Sequence, residues 1–136
     1  MPDASHTASQ LLAFHAEPVR YRPRLTHGRE SFPGGGHVFR FAQGKFPAGI
    51  LRELSTQERE RLQEAASFFV RQVCFWEDAT HYQMLCVAPD SRLAAIRESY
   101  HGLMALIHPD RQADGEERWP AECAQRVNKA WAVLSD

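Results

Sequence analysis

Apolar positions recur at helical spacing along three stretches of this chain. Leu93, Ile96, Tyr100, Leu103 and Ile107 return every three or four residues and form one stripe. Ala124, Val127, Trp131 and Leu134 repeat the pattern near the end of the sequence. Residues 56–77 carry the third stripe, with Leu62, Ala65, Ala66, Phe69, Val73 and Trp76 inside a face about 100° wide. Phe68 and Phe75 lie off that face and make a second, smaller apolar edge. The boundaries follow from local chemistry. Ser55 and Glu58 can satisfy each other's backbone N–H groups as a capping box, and Thr80 with Gln83 repeats the device ahead of a short helix through about 86. Pro89-Asp90-Ser91 caps a helix from about 91, and Pro109 stops it, because its ring disfavours the α conformation at His108. Pro120 suits the first turn of the last helix. The polar stretch Arg111 to Arg118 joins the last two stripes, which predicts an antiparallel helix hairpin.

The first 54 residues carry no comparable pattern. Pro2, Pro18, Pro23 and Pro33 interrupt them, and Gly34-Gly35-Gly36 follows. The cluster Leu11-Leu12-Ala13-Phe14 is too short for a stable isolated helix. His37, Phe39 and Phe41 alternate with Val38 and Arg40, which admits a short hairpin over 37–46 turning at Ala42-Gln43-Gly44. A largely irregular arm is therefore expected over 1–54, then an additional amphipathic helix over 55–79, then the helical module 80–136. The overall class is all-α.

Charge changes this picture only in the arm. Between residues 18 and 52, Arg20, Arg22, Arg24, Arg29, Arg40, Lys45 and Arg52 face Glu30 alone, although the whole chain of 136 residues has a net charge of −1. The basic segment can pack on the acidic remainder, stay solvated, or bind an acidic partner, RNA or an anionic membrane, with nucleic acid not the expected one. At 43% hydrophobic the composition is that of an ordinary soluble domain. No apolar run approaches the roughly 20 residues that span a bilayer. The start Met1-Pro2-Asp3-Ala4-Ser5-His6 has no secretory pattern, so a cytoplasmic location is expected. Cys74, Cys86 and Cys123 are odd in number and widely spaced, which suits buried thiols in a reducing compartment.

Candidate catalytic chemistry is thin. The seven histidines lack acidic or cysteine neighbours at ligand spacing, so no metal and no cofactor is expected. Gly44-Lys45 is followed by Phe46 where a phosphate loop needs Ser or Thr. His108 and Asp110 have no nucleophile beside them, and the chain is not expected to be an enzyme. What the tripeptide His108-Pro109-Asp110 offers instead is display. A rigid proline lowers the entropy lost on binding, and a carboxylate at a helix end can take a bidentate pair from an arginine.

In this frame the C-terminal stretch resembles the J domain of the DnaJ co-chaperone family. Tyr82, Leu85 and Val87 match its first helix, and Ile96, Arg97, Tyr100 and Leu103 its second. His108-Pro109-Asp110-Arg111 matches its loop. Val127-Asn128-Lys129-Ala130-Trp131-Ala132-Val133-Leu134-Ser135-Asp136 matches the close of its third helix. The resemblance covers residues 80–136 and implies a J-type helical domain, here extended by one N-terminal helix. It implies a binding module that docks on a DnaK-type chaperone and stimulates its ATP hydrolysis. The residues so implied are His108, Pro109, Asp110, Arg111, Arg97, Tyr100 and His101.

Two departures stand out. Cys86 takes the place of the family's usual glycine, so a different turn is expected there. On the exposed side of the second helix the family's lysines and arginines correspond to Arg97, Glu98, His101, Gly102 and Leu106, of which only Arg97 is reliably positive. The alternative reading is therefore a J-like interaction or scaffold protein that has lost ATPase stimulation. Glu98→Lys, Gly102→Arg and Leu106→Lys together are expected to restore docking, with Gly102→Arg also stiffening the helix. The stripe of 56–77 is expected to pack on the J module, Trp131 to be a main core anchor, and removal of residues 1–54 to leave a stable protein.

Overall fold

The computed structural model describes residues 4–26, 35–108 and 119–136, and their regular structure is helical, with no strand among them. The C-terminal part comprises α6 (His81–Met84), α7 (Leu93–Ile107) and α8 (Ala121–Leu134). α7 and α8 pair as the predicted hairpin, burying Ile96, Leu103 and Ile107 against Val127 and Ala130, with Leu85 beside them. Leu93 departs from its stripe and stays 45% exposed. Helical period fixes which face points inward, not how far the facing element extends. Trp131 and Leu134 are half-buried at the margin of the core. The N-cap of α7 is Arg92, without a side-chain hydrogen bond, so Pro89-Asp90-Ser91 does not cap it. Cys86 adopts φ 56°, so the left-handed turn expected of glycine is kept despite a Cβ.

The arm expected to be irregular is folded. α1 (Ala4–Ala16), α2 (Pro18–Thr26), α3 (Gly35–Ala42) and α4 (Ala48–Glu53) precede α5 (Thr56–Phe69). Of the prolines taken as breakers, Pro18 opens α2 and Pro23 lies within it, and Pro47 stands at the N-cap of α4. α1 lies along α5, and the Phe14 ring meets Phe69 edge-on at 5.5 Å and Phe68 at 5.7 Å. An isolated α1 would be marginal, so its helix depends on burying Leu11 and Phe14.

The hairpin expected over 37–46 is a helix. Val38, Phe39, Phe41 and Ala42 are all buried, a helical face rather than a strand alternation. Over so short a run both periods fit the sequence, and a lone hairpin has too little to pack on. Gly44, at φ 79°, ends α3: its N–H donates to Phe41 O at 3.0 Å, and Lys45 N–H donates to Arg40 O at 2.9 Å. This paired termination needs a left-handed residue, which glycine adopts freely. Gln63 Nε2 donates to Ala42 O at 3.2 Å and ties this end of α3 to α5.

Both predicted capping boxes form, at Ser55/Glu58 and Thr80/Gln83. The bond from the Ser55 backbone holds the Glu58 carboxyl below its usual range. The single helix expected from 56 to 77 instead widens into a π turn, Val70–Cys74. Arg126 closes it from α8, donating to Phe75 O at 3.0 Å and to Trp76 O at 2.8 Å. Phe75 packs on Trp119, and Arg71 lies over the Trp119 ring at 4.6 Å. The second apolar edge is therefore covered by Phe14 at one end and Trp119 at the other.

α5 packs chiefly on α1 and α3, and α3 in turn lies against α7. The expected contact of the 56–77 stretch with the J module is made at its C-terminal end, where Phe75 meets Trp119 and Trp76 Nε1 donates to Gln83 Oε1 at 3.3 Å, while α5 itself reaches α7 through α3. All three cysteines are free and buried. A hydrogen bond with Cys86, together with burial, pushes the Cys74 thiol well above its usual range.

Candidate functional site

The site begins where α7 ends. His108 closes the helix with extended backbone, φ −64° and ψ 129°, and its N–H still donates to Met104 O at 2.9 Å. That geometry is what a following proline enforces. His108 is half-buried. Pro109, Asp110 and Arg111 lie outside the described residues.

Arg97 and His101 are one helical turn apart, and His108 returns to the same face two turns later. Arg97 and His101 are exposed, so this stripe leads along α7 towards the tripeptide. Tyr100 has a different setting. Its hydroxyl donates to Asn128 Oδ1 at 2.6 Å, and its ring stacks on Trp131 at 5.1 Å. Tyr100 therefore braces α7 against α8 and sets the angle at which the stripe is presented.

The flank of α7 next to this stripe is occupied. The Phe39 ring, fully buried, sits over Gly102, where an added Cβ would meet Phe39 Cβ and Cδ2 at 3.6 Å. Gln43 Nε2 donates to Gly102 O at 3.3 Å and to Phe39 O at 3.1 Å. Arg40 Nη2 lies 3.5 Å from Glu98 Oε1, with both side chains largely exposed. Leu106 is partly buried against the core. Glu98 and Gly102, which depart from the family's basic pattern, are thus the seat of α3.

Sequence reasoning missed the residues on the other side of this contact, Phe39, Arg40 and Gln43. The departures at Glu98 and Gly102 were the available signal. The expected stiffening of α7 by Gly102→Arg is therefore opposed by this contact. A Cβ fits at van der Waals distance, but an arginine side chain would start out against the fully buried Phe39. Overpacking of this kind costs about 1–3 kcal/mol, more than the helix-propensity gain of up to about 1 kcal/mol. Thermal melting should show Gly102→Arg less stable than the wild type, and Gly102→Ala no less stable.

Among the described residues no group of histidine, cysteine and carboxylate side chains is arranged to hold a metal, and no helix is long and apolar enough to cross a membrane. No curated protein and no solved structure matches the chain. The family model of the DnaJ domain matches residues 80–136, the stretch that contains α6, α7, the His108-Pro109-Asp110 sequence and α8. Residues 80–136, the C-terminal part of this chain, are a DnaJ domain.

Proposed function

We propose that this DnaJ domain docks on the ATPase of a DnaK-type chaperone, the partner class of DnaJ domains in general, and accelerates its ATP hydrolysis. The observation that carries the reading is the exposed Arg97/His101 stripe leading to His108-Pro109-Asp110 at the end of α7. In this reading Arg97 and His101 contact the partner, His108 and Pro109 hold the loop in shape, and Asp110 with Arg111 makes its charged contacts. The protein is a binding module and leaves the hydrolytic chemistry to the chaperone. A cytoplasmic setting suits its three free, buried thiols.

Single-turnover ATP hydrolysis by a DnaK-type chaperone tests this. Adding the protein should raise the rate, and His108→Gln should return it to the unstimulated value. Equal rates with and without the wild-type protein would sink the idea.

One observation favours a second reading, a J-like interaction protein that does not drive the ATPase. α3 occupies the Glu98 and Gly102 flank of α7, where the family carries cations. Binding to the ATP-bound chaperone that survives His108→Gln, without stimulation by the wild type, is the result that selects it.

A further inference from the structure

α3 does more than cover a flank. It carries cations to the place where α7 lacks them. Arg40 projects from α3 beside Glu98, with its side chain 60% exposed. Lys45 follows at the α3 terminus, its N–H bonded to Arg40 O and its side chain exposed. Arg97 precedes Glu98 on α7 and is exposed as well. Gly102 and Phe39 give the contact its closeness, because the missing Cβ lets a fully buried ring lie against the α7 backbone. The Arg40–Glu98 pair is open to solvent on both sides, and such pairs contribute only about 0–1 kcal/mol. Arg40 can therefore leave Glu98 for a carboxylate of a partner at little cost.

We propose that α3 is part of the docking surface of this DnaJ domain, with Arg40 and Lys45 joining Arg97 in one composite basic face that receives an acidic surface of the partner. Three cations against Glu98 leave this face positive, although α7 alone offers one reliable cation. The substitutions on α7 and the cations on α3 are two halves of one arrangement. α7 carries Glu98 and Gly102, not basic side chains, at the positions where α3 sits, and α3 supplies charge at their edge. This rests on the reading that the partner is a DnaK-type chaperone, but it assigns part of the contact to residues outside the DnaJ domain.

Stopped-flow association of the labelled full chain with an ATP-bound DnaK-type chaperone tests it, at low and high ionic strength. The variant is Arg40→Glu with Lys45→Glu. Both side chains are exposed, so circular dichroism and melting should be close to wild type. The charge-matched control is Arg20→Glu with Arg22→Glu on α2, which packs on α1 and the π turn. The double variant should associate about tenfold more slowly at low salt, with the difference fading at high salt, while the control stays near the wild-type rate. A double variant that matches the control, in a system where His108→Gln still removes ATPase stimulation, overturns the role of α3 and leaves the chaperone reading intact. Faster association by the double variant also overturns it, since α3 would then obstruct the partner. A wild type that neither binds nor stimulates the chaperone removes the chaperone reading itself, and this proposal with it.

Discussion

Deleting residues 1–54 is expected to leave a chain that no longer melts cooperatively. The opposite outcome follows from reading the N-terminal part as an irregular arm, and the difference lies in what α5 packs against. Leu62, Ala65, Ala66 and Phe69 are fully buried, chiefly beneath α1 and α3. Removing those helices takes away Leu11, Phe14, Val38, Phe39 and Phe41, each 0–2% exposed, and turns the α5 stripe out into water. Burying one such side chain contributes about 1.5–3 kcal/mol. A domain of this size holds about 5–15 kcal/mol in total, so losing several at once is decisive. The flank of α7 at Gly102 is bared by the same deletion. Circular dichroism melting of the 55–136 fragment, with dye binding as a report of exposed apolar surface, checks the result. A sharp transition at the full-length temperature would show that α1 and α3 are accessories.

Phe39→Ala should be among the most damaging single substitutions in the chain. Phe39 is fully buried and belongs to α3, which lies between α5 and α7. Its ring fills the space that Gly102 leaves open. Truncating a buried phenylalanine to alanine costs about 3–5 kcal/mol, because packing is lost and the cavity collapses only in part. The loss falls on the joint between the N-terminal helices and the DnaJ domain. Trp131, the anchor expected from the sequence, is half-buried and partly satisfied by stacking on Tyr100. Trp131→Ala should accordingly cost less than Phe39→Ala. Urea unfolding of the two variants side by side decides the order, and a larger loss at Trp131 would place the main anchor in the hairpin after all.

These two expectations mark the boundary between what was legible in the chain and what was not. Elements whose causes are local could be read directly from the chain. Ser55/Glu58 and Thr80/Gln83 close as capping boxes because each pair carries its own donors and acceptors three residues apart. α7 ends at His108 because Pro109 forbids it to continue, and α8 starts just after Pro120. The α7 and α8 stripes, long enough to show their period, identified the hairpin, and the residues around His108-Pro109-Asp110 were enough to identify the DnaJ domain. Tertiary structure decided the rest, where local signals were short or ambiguous. Four apolar residues within Val38–Ala42 fit a strand or a helix equally, and the presence of α5 on one side and α7 on the other selected the helix. α1 has too few residues to hold a helix in water and gains it from Phe68 and Phe69. Cys86 takes a left-handed conformation that its side chain disfavours, while that side chain lies buried beside Cys74. Glu98 and Gly102 looked like losses from a docking face when α7 was considered alone. They are the contact points of a helix some sixty residues earlier in the chain, a relation that no spacing along the sequence expresses.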